Sequence, residues 1–202
     1  LFSSPAGNDL PYDDKLVEQG RNFANKIWNA FRLVKGWEID PKLDGSVNSS
    51  SIEWFENRFN QALAEINDHF EKFRISDALM TTYKLVWGDF CSWYLEMIKP
   101  EYQKPIDQAT YNKTIELFED ILKILHPFMP FISEEIWHQI KERSVEDSLI
   151  LAEWPEVKSF NTKITEEAAQ IFEVVSQIRN LRASKGNALT LCQRVLKTRS
   201  QT

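Results

Sequence analysis

Apolar residues recur at every third or fourth position along most of the chain, and this spacing predicts α-helices. The clearest stretch covers about residues 52–73. Its apolar positions are Ile52, Phe55, Phe59, Leu63, Ile66, Phe70 and Phe73. A similar stripe runs through about 11–34, at Leu16, Gly20, Phe23, Ile27, Ala30, Phe31 and Val34. Strand-like alternation never exceeds a few residues, so the pattern predicts an all-α protein.

Prolines, glycines and capping residues divide this pattern into six helices. The first ends before Gly36, the third runs from Ser76 or Asp77 to about Ile98, and the fourth spans about 107–125. Two prolines precede a short fifth helix that Ser133 is expected to cap. A sixth spans about 165–184, with its apolar positions expected to face inward: Ala168, Ile171, Phe172, Val175, Ile178 and Leu181. Short links between helices predict an antiparallel bundle.

Composition limits the kind of protein. Aromatic residues make up 12% of the chain, which supplies ample material for a core. Cys91 and Cys192 lie far apart and have no neighbouring cysteine, which favours a reducing, intracellular setting without structural zinc. No apolar run approaches the roughly 18 residues that a membrane span needs, so we expect no membrane partner.

Charge is distributed unevenly along the chain. The net charge of -6 argues against non-specific binding to nucleic acid, because such binding relies on neutralisation of phosphates by Lys and Arg. Two regions depart from this average. Residues 158–202 carry 8 basic and 3 acidic side chains, and the only charged residues between Gly20 and Trp37 are Arg21, Lys26, Arg32 and Lys35.

Catalytic and metal-binding residues are not predicted. The three histidines, His69, His126 and His138, lack metal-ligand spacing, and His126 precedes a proline at a helix end, where a structural hydrogen bond is expected. Paired carboxylates such as Glu134 and Glu135 fall in first helical turns, where the helix dipole explains them. The chain contains neither a glycine-rich phosphate loop nor a nucleophile elbow.

The outer face of the first helix suggests another chemistry. At 100° per residue, a set of polar and aromatic residues falls within about 80°, opposite the apolar stripe. The set is Arg21, Asn25, Trp28, Arg32 and Lys35, with Asn29 just beside it. Cations bind phosphates, amides read base edges and an indole stacks on bases, so this set suits RNA. The alternative is an ordinary solvated face whose Trp28 packs under a neighbouring helix. Composition alone favours that alternative. Several asparagines inside one helix are unusual, however, because asparagine is a poor helix former.

Four segments of the chain resemble a known family, in the same order along the sequence. They are Arg21-Asn-Phe-Ala-Asn-Lys-Ile-Trp-Asn-Ala-Phe-Arg32, Val86-Trp-Gly-Asp-Phe-Cys-Ser-Trp-Tyr-Leu-Glu96, Leu125-His-Pro-Phe-Met-Pro-Phe-Ile-Ser-Glu-Glu-Ile-Trp137 and Glu153-Trp-Pro155. They resemble the anticodon-binding domain of class I aminoacyl-tRNA synthetases in its valine-specific form, over about residues 4–187. This resemblance implies an antiparallel helix bundle of that domain's type.

The resemblance also implies a division of the chain. Residues 1–10 would connect to a catalytic domain, 11–157 would form the anticodon-binding bundle, and 158–187 would form a helix that packs on the bundle or leads to the next element. No structure is assigned to 188–202, which depart from the family's pattern. The family joins valine to its tRNA with ATP and magnesium, but the sequence motifs of its catalytic domain do not occur here. We therefore expect a cytoplasmic, monomeric fragment that holds valine tRNA, needs no cofactor of its own and has no catalytic activity without the catalytic, editing and coiled-coil domains.

Residue by residue, the resemblance assigns RNA contacts to Arg21, Asn25, Asn29 and Arg32, and Lys35 continues that line. Weaker candidates are Lys99, Tyr102 and Lys104 in the loop after the third helix, and Arg179 and Arg182 in the sixth helix. Trp87, Trp93 and Tyr94 also match the family, but their wide arc favours a core position. The competing hypothesis is a helical interaction module that binds another protein through the Trp28 face.

Overall fold

The computed structural model describes the backbone of residues 13–144 and 146–199 and the side chains of residues 13–144 and 146–185. The chain divides into two compact units, Leu1–Phe160 and Asn161–Thr202. The first unit contains the helices α1 Asp14–Lys35, α2 Ser49–Glu71, α3 Ile75–Tyr83, α4 Leu95–Ile98, α5 Gln108–Leu125 and α6 Pro130–Ile140. The predicted all-α class is confirmed. The expected connector over 1–10 lies outside the described residues.

Two features depart from a plain α-bundle. A π-helical segment, Lys84–Tyr94, joins α3 to α4, so the predicted single helix over about 76–98 is continuous but changes its pitch. In addition, strands β1 (Ile39–Asp40) and β2 (Ile106–Asp107) pair in parallel. Two-residue strands are too short to leave an alternating pattern, which is why the sequence did not predict them.

The strands define one end of the first unit. Strand β1 follows α1 and pairs with β2, which precedes α5, so the last turn of α1 and the first turn of α5 lie at the same end. The Nζ atom of Lys35 donates a hydrogen bond to the carbonyl of Gln139, which brings the end of α6 there as well. We call this the strand end.

The opposite end of the first unit contains two tight turns. They join α2 to α3 at residues 72–74 and α5 to α6 at residues 126–129. A short 3₁₀ helix, Leu149–Leu151, is held near the start of α6 because its Leu149 N–H donates a 2.8 Å hydrogen bond to Glu134 Oε1. We call this the turn end.

Aromatic packing fills the core between the two ends. Phe55 of α2 is fully buried and stacks on Tyr94, with ring centroids 4.7 Å apart, while Phe90 packs against Phe118 of α5 at 5.1 Å. The Tyr94 hydroxyl lies 3.0 Å from the Thr114 Oγ1 atom, and burial raises the pKa of Tyr94 above its ordinary value. Tyr94 is thus a core residue, and its polar atom is satisfied.

Several local predictions were wrong. Leu16 and Gly20 were expected to be buried, but both are exposed, since the first buried residue of α1 is Phe23. Phe73 is also exposed, because α2 ends at Glu71 and Phe73 adopts a left-handed conformation with φ 55° in the following turn. Ser133 does not cap α6. That helix begins at Pro130, and the Ser133 hydroxyl donates to the carbonyl of Met129 inside it.

In the described residues, the second unit contains one long helix, α7 Thr162–Arg199. It begins before the predicted residue 165, continues past 184, and includes residues 188–199 of the predicted tail. Ala168, Phe172 and Val175 are half-buried, but Ile171, Ile178 and Leu181 are exposed, so the prediction that they face inward was wrong. No helix within the described residues is both long enough and apolar enough to cross a membrane.

Candidate nucleic-acid interface

Helix α1 separates its side chains into a buried face and an open one. Its buried residues, Phe23, Ile27, Ala30, Phe31 and Val34, fall on one side of the helix. The predicted RNA-contacting residues Arg21, Asn25, Asn29, Arg32 and Lys35 are all exposed. The fold therefore presents these five residues together because they share one face of a single regular helix.

Three of these side chains have no polar partner in the described part of the chain. The side chains of Asn25, Asn29 and Arg32 make no hydrogen bond or ion pair with any part of the chain that the structure describes. Arg21 has only a long 4.0 Å contact with Glu18 on the same exposed surface. Two amides and two guanidinium groups are consequently available to an external partner with acceptor atoms.

Trp28 and Lys35 lie at the edge of the exposed face and are partly engaged. Trp28 is half-buried, and its ring packs against Phe31 with centroids 5.4 Å apart. Lys35 binds the Gln139 carbonyl and places its Nζ 5.8 Å from the Phe31 ring. Arg32 and Lys35 also fall in the last turn of α1, where cations favour the negative end of the helix dipole. Trp28 and Lys35 therefore each have a structural role in addition to any role in binding.

The strand pairing brings a second candidate segment to the same end of the molecule. Ile106 donates its N–H to the Glu38 carbonyl at 2.8 Å, and Ile39 pairs with Ile106 in the strand register. The loop over 99–105 therefore leaves the bundle beside the segment that follows α1. This loop contains the weaker candidates Lys99, Tyr102 and Lys104, and the Tyr102 side chain is 91% exposed. Because β1 and β2 are distant in sequence, periodicity could not join these segments.

The loop over 99–105 is less basic than its lysines suggest. Lys99 pairs with Glu96 at 2.6 Å, and Lys104 pairs with Glu101 at 2.5 Å. The Lys104 bond is one cause of the lowered pKa of Glu101. Gln103 adopts a left-handed conformation with φ 62°, which the sequence did not reveal because glutamine has no preference for it. The exposed aromatic ring of Tyr102 is thus the feature of this loop best suited to a base.

The remaining candidates occupy other surroundings. Arg179 and Arg182 are exposed on α7 and belong to the second unit. Trp87 is half-buried and stacks on Tyr83 with centroids 5.7 Å apart, while Lys26 Nζ lies 5.6 Å from its ring. That arrangement agrees with a packing role for Trp87.

His126, His138 and Glu134 pack together at the turn end. His126 Nδ1 pairs with Ser133 Oγ at 2.9 Å, which is the structural hydrogen bond that its position predicted. Glu134 accepts hydrogen bonds from Ser148 Oγ and Leu149 N–H. Burial alone would raise the pKa of Glu134, but these bonds and the nearby His126 and His138 lower it. Across the described residues, no group of three or more His, Cys, Asp or Glu is arranged to hold a metal ion.

The part of the chain that follows α1 and β1 matches a known domain. The family described as the anticodon-binding domain of tRNA ligase matches residues 53–195, and the chain belongs to this family. That match begins in the second turn of α2 and ends within α7, so the proposed RNA-contacting helix α1 lies outside it.

Similar proteins carry the name Valine--tRNA ligase. The protein of Christiangramia forsetii is 53% identical over 186 residues, covering 92% of this chain and 21% of the relative. Phocaeicola vulgatus has a relative 50% identical over 188 residues, covering 93% and 22%. The relative from Fusobacterium nucleatum is 35% identical over 199 residues, covering 92% and 22%. The chain therefore spans about a fifth of the length of the curated relatives that it matches.

Proposed function

We propose that this chain is the part of a valine-tRNA ligase that recognises the tRNA anticodon. The observation that carries the proposal is the exposed face of α1, where Asn25, Asn29 and Arg32 are free of partners among the described residues. Amides with free donors and acceptors suit the edges of unstacked bases, and guanidinium groups suit the phosphates between them. Membership of the anticodon-binding family and the similarity to valine-tRNA ligases support the same function.

Recognition then rests on non-covalent contacts that hold the anticodon loop in place, and this chain carries out no covalent step. The bases of the anticodon loop unstack and lie along α1, where Asn25 and Asn29 contact their edges. Arg21 and Arg32 hold the backbone, and Lys35 extends this line toward the strand end. Tyr102 offers a ring to a neighbouring nucleotide from the adjoining loop. Valine codons require anticodons ending in A and C, so these two letters are the ones recognised.

The parent enzyme performs the reaction in which L-valine, ATP and valine tRNA give valyl-tRNA, AMP and diphosphate. In this proposal the ATP, magnesium and catalytic residues belong to the catalytic part of that ligase, and the present chain contributes RNA contacts alone. Its partners are valine tRNA and the catalytic, editing and coiled-coil domains. It acts as a monomer in the cytoplasm, where translation takes place.

A binding experiment tests the proposal directly. Labelled valine tRNA is titrated with the 202-residue chain, beside a transcript whose two anticodon letters are exchanged. Asn25→Ala and Asn29→Ala should each cost about 1–3 kcal/mol for valine tRNA and little for the exchanged transcript. Arg32→Ala should weaken binding to both RNAs and reduce the salt dependence by about one phosphate contact.

Matched variants control for general effects of substitution. Gln19→Ala removes an exposed amide from α1 outside the candidate face, and Arg74→Ala removes an exposed cation at the turn end. Neither should change the affinity. Equal affinity for the two RNAs would contradict recognition of the anticodon. Failure to bind either RNA at low salt would favour the helical protein-interaction module instead.

A further inference from the structure

Large apolar side chains are exposed together at the turn end. Phe131, in the first turn of α6, is 91% exposed, and Ile150 of the short 3₁₀ helix is 72% exposed. Both line one cleft of about 360 Å³, and Leu151 beside them is exposed as well. Folding alone does not account for this patch, because side chains of this size usually lie inside a protein.

Polar contacts among the lining residues hold the cleft in shape. His126, Glu134 and His138 line it. The Glu134 carboxylate is held by the Ser148 hydroxyl at 2.9 Å and by the Leu149 N–H at 2.8 Å, and His138 Nε2 lies 3.2 Å from it. These contacts tie the 3₁₀ helix to α6, so Phe131 and Ile150 are held beside the same opening. A partner would therefore bind a surface that is already ordered, so little conformational entropy would be lost on binding.

Charge indicates what kind of partner fits. The lining contains Glu134 and Glu135 and has no Lys or Arg. Carboxylates at this position disfavour a phosphate backbone. They also disfavour a symmetric pair of identical chains, because a two-fold interface centred on this cleft would place two acidic linings close together. An apolar polypeptide segment that carries a basic side chain fits this cleft. Its apolar residues would pack against Phe131 and Ile150, and its cation would lie near the carboxylates.

We infer that the turn-end cleft docks a part of the ligase polypeptide outside these 202 residues, through an apolar segment with a basic side chain. The inference rests on the proposed function. Its second support is length, because the relatives are about five times as long as the matched segment. The RNA-contacting face reaches the strand end, so a contact at the turn end would hold the recognition helix at a fixed position in the enzyme without covering it.

Hydrogen exchange of the same residues in two settings tests this docking. One sample is the isolated 202-residue chain, and the other is the Christiangramia forsetii ligase with its matched segment replaced by this chain. No tRNA is present. Amides of residues 126–138 and 148–151 should exchange about tenfold more slowly in the ligase, whereas those of the loop 99–105 should be unchanged.

Charged substitutions then locate the contact. The double variant Phe131→Asp and Ile150→Asp should return exchange at the turn end of the ligase to the rate of the isolated chain. Val47→Asp is the matched control, because Val47 is 81% exposed beside the strands, and it should change nothing. In the isolated chain neither variant should shift the unfolding midpoint, since all three side chains are exposed.

Three outcomes would overturn the inference. The first is equal exchange at the turn end in both settings, and the second is protection in the ligase that survives the double substitution. The third is a concentration-dependent dimer of the isolated chain that the double substitution dissociates, which would make a second copy the occupant. Valine-tRNA binding by the same preparations is measured separately, so a failure of docking and a failure of anticodon recognition are distinguishable.

Discussion

The two ends of the helical bundle present opposite chemistries. The strand end continues from the polar face of α1 and carries exposed Arg32, Lys35 and Tyr102. The turn end carries exposed Phe131 and Ile150 around a cleft lined by carboxylates. Each helix of the bundle runs from one end toward the other, so the difference arises from which residues fall in the terminal turns and loops. Under the two proposals made above, one small bundle offers an RNA-binding surface and a protein-binding surface about a helix length apart.

The net charge of -6 describes neither end well. Acidic residues dominate the middle of the chain and the turn-end cleft, whereas the exposed face of α1 contains cations and amides. An acidic protein can therefore repel RNA in general and still admit it at one place. The comparison shows that the position of charges, and not their sum, determines which surface is suited to RNA.

The largest expected effect comes from breaking the core that connects the ends. Phe55→Ala removes a fully buried ring that stacks on Tyr94, and it should cost about 3–5 kcal/mol of unfolding free energy. Denaturant unfolding followed by fluorescence, with hydrogen exchange at each end, measures the loss. Both ends should lose protection together. Separate transitions at the two ends would show that the bundle is not one cooperative unit.

A smaller effect is expected at the strand end, where β2 leads into α5. Asp107 is buried and caps α5 by accepting a 2.7 Å hydrogen bond from the Thr110 N–H. Asp107→Ala should cost about 1–2 kcal/mol and speed hydrogen exchange in the loop 99–105 while leaving the turn end unchanged.

Asp107→Asn is the control for this cap, because asparagine also caps helices well and should preserve most of the stability. Gly45 gives an independent test. A methyl group placed on it would lie 2.7 Å from Asp107 Oδ1, so Gly45→Ala should disturb the same loop. Unchanged exchange in both Asp107→Ala and Gly45→Ala would show that the pairing of β1 with β2 does not hold this end together.

The smallest expected effect is a pH dependence at the turn end. The folded pKa of Glu134 lies below its ordinary value of 4.5, so its ionised form contributes stability that is present above that value. This contribution is lost as the pH falls from about 4.5 through the lower folded pKa. Comparing the unfolding free energies of the wild type and Glu134→Gln from pH 7 to pH 3 measures it.

The difference in stability between wild type and Glu134→Gln should shrink as the solution becomes more acidic within that window. Glu135→Gln is the matched control, because Glu135 is an exposed neighbour that accepts no hydrogen bond from the 3₁₀ helix. A constant difference across the pH range would contradict the role given to the Glu134 carboxylate at the turn end.

Local pattern predicted most of the helical framework. The three-four spacing located α1, α2 and α5 within a few residues, and it set Asn25, Asn29 and Arg32 on one face of α1. Such predictions succeed because a helix repeats every 3.6 residues, so which residues share a face depends only on near neighbours. The resemblance of residues 125–137 to the family added the expected class of partner, which periodicity alone could not supply.

Other features depended on contacts between distant segments. Nothing local shows that Ile39 pairs with Ile106, that residues 84–94 take a π-helical pitch, or that Phe131 lies on the surface beside Ile150. An apolar residue in a regular pattern predicts burial only where a neighbouring element covers it, and no such element covers Leu16 or Phe73 in the described part of the chain.

By itself, then, the sequence determined a set of amphipathic helices and the polar face of α1, because both follow from the local geometry of the backbone. The tertiary structure alone decided that the loop 99–105 joins the strand end and that a carboxylate-lined cleft opens at the turn end. Those arrangements bring together residues far apart in the chain, and their positions depend on packing of the whole bundle.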